Sequence, residues 1–74
     1  MRQENEIMII NTLATAIRSR GMTQAQFAER MGVDDPTVSR LCKQRSFTFA
    51  RLQQICQALG TNEITEFIRV IEVK

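Results

Sequence analysis

Apolar residues recur along most of this chain at helical spacing. Ile10, Leu13, Ala14 and Ile17 fall at i, i+3, i+4 and i+7, which predicts a first helix over about residues 6–20, ended by the left-handed conformation that Gly21 can adopt. Thr23 reads as the next N-cap, with Gln26 three residues on, as in a capping box. Phe27, Ala28 and Met31 would then line the inward side of a short second helix that Gly32 terminates. Asp34 caps a third, with Asp35 and Pro36 in its first turn, where an acid faces the positive end of the helix dipole and a missing amide hydrogen is harmless. Its buried stripe is Val38, Leu41 and Cys42. After a polar loop with one apolar anchor, Phe47, Thr48 caps a fourth helix carrying Leu52, Ile55, Cys56 and Leu59, and Gly60 closes it. Thr61 or Asn62 opens a fifth, with Ile64, Phe67, Ile68 and Ile71 on one face. The expectation is therefore an all-α bundle of five helices, although Val70-Ile71-Glu72-Val73 could also be extended.

Composition narrows what such a bundle can do. Seventy-four residues make one domain near the lower limit for folding on a single apolar core. A chain this short is a poor host for a deep substrate pocket. The net charge of +2 says little, but its distribution says more. Residues 18–51 hold seven Arg or Lys against three acids, while each flank carries one excess negative charge. An anionic partner such as DNA would meet the central segment, unless those cations form only a solvated face.

With no histidine in the chain and only Cys42 and Cys56, no zinc set and no thiol–base pair can be assembled, and Asp34 and Asp35 are adjacent at a helix start, where their carboxylates diverge. Enzyme activity, a metal and a cofactor are not expected. The two cysteines sit in apolar helical patterns and read as buried, reduced thiols, which suggests a cytoplasmic protein. The run Ile7-Met8-Ile9-Ile10 is too short, and too acidic on its N-terminal side, for a secretion signal. No segment approaches the ~20 apolar residues that span a bilayer.

The pair of short helices about Gly32-Val33 is a helix-turn-helix arrangement, over about residues 23–44. Ala28 is small where the helices approach, and Val33 and Val38 lock the second against the first. On these residues the chain resembles the lambda-repressor-like, or Cro/XRE-type, helix-turn-helix family. Thr23, Gln24, Ala28, Gly32, Val33, Thr37, Ser39 and Arg40 match the family pattern outright, and Val38 and Leu41 match in kind. Phe47, Arg51, Leu52, Ile55, Cys56, Ala58, Leu59 and Gly60 look like its fourth helix. The resemblance covers about residues 10–70. It implies a compact five-helix lambda-repressor-like fold that binds operator DNA as a dimer.

By that resemblance the third helix enters the major groove, and its base-reading positions are Asp35, Pro36, Ser39 and Arg40. Arg40 is the strongest candidate, because a guanidinium can grip guanine O6 and N7 together. Gln24 at the start of the second helix, Thr37, and Lys43, Gln44 and Arg45 beyond the third would hold phosphates, fixing register without reading sequence. Arg18, Arg20 and Arg51 are weaker, flanking charges.

Asp34-Asp35-Pro36 departs from the family, which more often places Ser, Arg, Gln or Lys there. Either Asp34 is a cap and Asp35 accepts from a cytosine amine, or the acids repel phosphate and the domain has become a protein-interaction or antitoxin-like module. The first reading is preferred because Arg40, Lys43 and Arg45 stand beside the acids. Residues 62–74, with Ile64, Phe67, Ile68 and Ile71, would supply a homodimer surface; Ile7, Met8 and Ile9 are the alternative. The expected protein is a bacterial or phage regulator at the nucleoid, with no membrane or small-molecule partner. The chain could also be the N-terminal part of a longer regulator.

Overall fold

The central helices form where caps and glycines mark them; the two ends of the chain do something else. The structure, a computed structural model, describes residues 6–73. Strand β1 (Glu6–Asn11) leads into α1 (Leu13–Ser19), α2 (Gln24–Met31), α3 (Asp35–Leu41) and α4 (Phe49–Leu59). A single 3-10 turn, Ile64–Glu66, then precedes strand β2 (Ile68–Val73). The strands pair antiparallel into a two-stranded sheet, in an unbroken register from Glu6 opposite Val73 to Asn11 opposite Ile68.

The capping chemistry is as read. Thr23 accepts a hydrogen bond from the Gln26 amide and Gln26 Oε1 accepts one from the Thr23 amide, at 3.1 and 2.9 Å. Asp34 and Thr48 cap α3 and α4 through the amides of Thr37 and Arg51. Gly32 and Gly60 close α2 and α4 at φ of 74° and 75°.

The all-α, five-helix expectation is corrected at both termini. The first helix does not begin near Glu6: residues 6–11 are strand, and the helix starts at Leu13. Among the described residues no fifth α-helix follows Asn62, only the 3-10 turn and β2. β-branched side chains explain the preference, since Ile7, Ile9 and Ile10 crowd one end, and Ile64, Thr65, Ile68, Val70, Ile71 and Val73 the other. Asn11 adds a local reason, because its side chain bonds backbone instead of continuing a helix (Oδ1 accepts from the Leu13 amide at 2.9 Å).

The core gathers Leu13, Ala16 and Ile17 from α1, Phe27 and Ala28 from α2, Val38 and Leu41 from α3, Ile55, Ala58 and Leu59 from α4, and Phe67 just before β2. Phe47 meets Phe67 edge-on, ring centres 6.4 Å apart. Cys42 and Cys56, expected to be buried, are half-buried free thiols packed on the edge of this cluster. Burial of the Cys42 thiol pushes its pKa up, against the pull of Arg18 and Lys43.

The sheet extends the molecule. Its radius of gyration is 13.9 Å and its longest dimension 50 Å against 22 and 21 Å across. A compact chain of this length would have a radius of about 11 Å. Along β1, Ile10 and Asn11 are half-buried and residues 6–9 are exposed, as expected for an arm leaving the helical body.

Candidate nucleic-acid interface

The geometry of the helix pair starts at Ala28. Its side chain is buried, and its carbonyl accepts from the Val33 amide at 3.0 Å, folding the chain sharply after α2. Val33 then packs on the edge of the core. Val38 and Leu41 are fully buried beneath α3, so helical periodicity turns Asp35, Pro36 and Arg40 outward, all exposed, with Ser39 half-exposed beside them. The four residues that sequence reading assigned to base contact thus share the outer surface of one short helix.

The Asp34 carboxylate is engaged by the first turn of its own helix. Its carboxylate accepts from both the amide and the hydroxyl of Thr37, and the hydroxyl bond, first, then the amide bond, hold its pKa below the ordinary 3.8, with Arg40 adding a weaker pull. The same Thr37 hydroxyl accepts from Arg40 Nη2 at 3.3 Å. An Asp34–Thr37–Arg40 chain therefore sets the direction of the arginine. Arg40 makes no ion pair with Asp35 or Glu29. Thr37, expected to hold phosphate, is half-buried and engaged within this chain. Asp35 stands exposed with no hydrogen bond to the described residues.

Beyond α3, the amides of Cys42, Lys43 and Gln44 bond the carbonyls of Val38, Arg40 and Leu41, an overwound last turn. Lys43, Gln44 and Arg45 are all exposed there. Sequence reading missed the residue that fixes this loop. Asn11, at the end of β1, donates through Nδ2 to Leu41 O at 2.7 Å and Gln44 O at 2.9 Å, satisfying carbonyls that a helix C-terminus leaves open. A polar residue interrupting the apolar start of the chain was the available signal. Gln24 is exposed at the start of α2.

Other cations are committed elsewhere. Arg20 donates to Leu59 O at 2.9 Å and pairs with Glu66, and Arg30 donates to Ala58 O at 3.0 Å. Both clasp the C-terminal end of α4. Arg51 bonds Gln54. A second residue that sequence reading passed over is Phe49, 89% exposed at the start of α4.

The four residues proposed for dimer contact are not brought together as a helical face. Ile64 is exposed on the 3-10 turn, Phe67 is fully buried in the core, and Ile68 and Ile71 are half-buried on opposite faces of β2. Among the described residues no helix is long and apolar enough to cross a membrane, and no three acids or thiols cluster as metal ligands.

Comparison with known proteins agrees with this geometry. The Cro/C1-type HTH DNA-binding domain matches residues 12–72, a span that takes in every helix and nearly all of β2. No curated protein and no solved structure matched in the corresponding searches. A helix pair of this form and a match over most of the chain give one conclusion: the protein belongs to the Cro/C1-type helix-turn-helix family of DNA-binding domains.

Proposed function

We propose that the protein is a sequence-specific transcriptional regulator of the phage-repressor kind, a homodimer in which each α3 reads one operator half-site. The observation that carries this reading is the outer surface of α3, where Asp35, Pro36, Ser39 and Arg40 face away from the core on the helix that the family inserts into DNA. Arg40 is held by the Thr37 hydroxyl on the outer surface of α3 and forms no ion pair among the described residues, so its guanidinium is available to guanine, a contact worth about 1–3 kcal/mol of discrimination. Lys43 and Arg45, exposed beyond the helix, fit phosphate contacts. Gln24 fits a third, at the N-terminus of α2. Asp34 is occupied as the N-cap of α3, its carboxylate accepting two hydrogen bonds from Thr37. Dimerisation follows from the small number of base pairs one helix can read.

Asp35 favours the second reading, a protein-interaction or antitoxin-like module, because an exposed carboxylate at the tip of α3 repels phosphate unless a base amine meets it. Selection of bound sites from random duplex DNA separates the two. Palindromic half-sites containing guanine, with selectivity at one position relaxed by Arg40→Ala and the salt dependence lowered by about one unit by Lys43→Ala, are the expected result. Recovery of no sequence at low ionic strength would favour the interaction module.

A further inference from the structure

β1 carries an apolar run without alternation, Ile7-Met8-Ile9-Ile10. Strands of that kind are covered on both faces in folded proteins. Here neither face is covered toward the tip. Ile7 and Ile9 on one face are 58% and 68% exposed, and Met8 on the other is 49% exposed. A two-stranded ribbon with both faces in water is at best marginally stable, so this arm requires a partner surface.

The two edges of the ribbon differ. β2 carries Arg69 and Glu72, charges of the kind that keep an edge from pairing. β1 has no charge, proline or bulge between Ile7 and Ile10. Among the described residues, the backbone of Ile7–Ile10 makes no hydrogen bond to any segment but β2. Beside this edge lies a groove walled by residues 8–11 and by residues 42–45 of the loop after α3.

We infer that β1 is the self-association strand: two copies of the chain pair β1 to β1, antiparallel, about a two-fold axis at Met8. The choice of a second copy as occupant rests on the two-half-site reading above; the register comes from the strand itself. With Met8 on the axis, Ile7 lies opposite the partner's Ile9, and Glu6 opposite the partner's Ile10. Each strand tip then enters the groove of the other copy, where the partner's Glu6 meets the Lys43 and Arg45 end and no acid. The same pairing through β2 fails on charge. Centred on Val70 it sets Arg69 diagonal to the partner's Arg69, and centred on Ile71 it does the same with Glu72.

The assembly also closes. In the four-stranded sheet β2-β1-β1-β2 both outer edges are β2, whose charges stop further addition. The pairing satisfies the open backbone edge of β1 and turns a two-stranded ribbon into a four-stranded sheet, with Ile7 beside the partner's Ile9.

The test is cross-linking of the full chain without DNA, in a Cys42→Ala, Cys56→Ala background. Met8→Cys places two thiols on the axis, within the about 4.4–6.8 Å Cα separation a disulfide spans. Val70→Cys lies one strand further out on each side, beyond about 14 Å. The expected result is rapid, dilution-resistant cross-linking of Met8→Cys, none of Val70→Cys, and a dimer in sedimentation equilibrium that Ile9→Lys converts to folded monomer. A monomeric parent at tens of micromolar, or cross-linking of Val70→Cys in place of Met8→Cys, overturns the inference. A β1-paired dimer that binds no duplex DNA would instead leave this interface standing and remove the operator reading.

Discussion

Replacing Asn11 with Ala removes three hydrogen bonds at once: to Leu41 O at 2.7 Å, to Gln44 O at 2.9 Å, and from the Leu13 amide at 2.9 Å. The bonds at Leu41 and Leu13 are partly buried, and each contributes about 0.5–1.5 kcal/mol net. The bond at Gln44 is exposed, and water replaces it at little cost. The sum is about 1–3 kcal/mol. In a domain of this size each kcal/mol moves the melting temperature by about 4–8 °C. Urea unfolding followed by circular dichroism measures the first quantity and a thermal scan the second. Hydrogen exchange adds a local readout: the Lys43 and Gln44 amides, bonded to the last turn of α3, should lose protection before the core does. Asn11→Asp sharpens the test. It keeps the acceptor for Leu13 but turns a carboxylate toward two carbonyl oxygens, so it should be less stable than Asn11→Ala at neutral pH. An Asn11→Ala protein within about 0.5 kcal/mol of the parent, or Asn11→Asp the more stable of the two, would refute the claim that this side chain fixes the loop after α3.

Three further outcomes are expected. Phe67→Ala, which empties a fully buried aromatic site at the core, should cost about 3–5 kcal/mol and leave a largely unfolded chain, seen as loss of the helical far-ultraviolet circular dichroism, rather than a folded monomer. Gly32→Ala meets no atom within 4 Å of the new methyl, so its cost should be the left-handed backbone alone, about 1–2 kcal/mol in urea unfolding, with Gly32→Asn less affected. Because Thr37 lowers the pKa of Asp34, the carboxylate's contribution to stability is fully present above the unfolded value near 3.8 and is lost as pH falls through the lower folded value. An acid titration of stability should therefore steepen below about pH 4 in the parent and flatten in Asp34→Asn, which keeps an acceptor for the Thr37 amide without a titrating group; equal slopes would remove Asp34 from the acid limb.

Local signals in the chain specify the middle of the molecule. Thr23 with Gln26, Asp34 with Pro36, and Thr48 act through bonds to amides three residues away, and Gly32 and Gly60 through their own backbone angles. Such signals are complete within one helical turn, so α2, the turn, α3 and α4 were legible, and with them the outward set Asp35, Pro36, Ser39 and Arg40. The spacing of Val38 and Leu41 already said which side of α3 would be buried. Tertiary structure decided the ends. Ile10, Leu13, Ala14 and Ile17 satisfy a helical period, yet Ile10 lies in a strand, because its opposite number is Arg69, nearly sixty residues away. Ile64, Phe67, Ile68 and Ile71 satisfy the same period, yet one is in the core and two lie on opposite faces of a strand. Short apolar, β-branched runs are compatible with helix or strand locally, and pairing across the chain settles which. The tie from Asn11 to Leu41 and Gln44, and the bare edge of β1, arise from that pairing, and no window of neighbouring residues contains either.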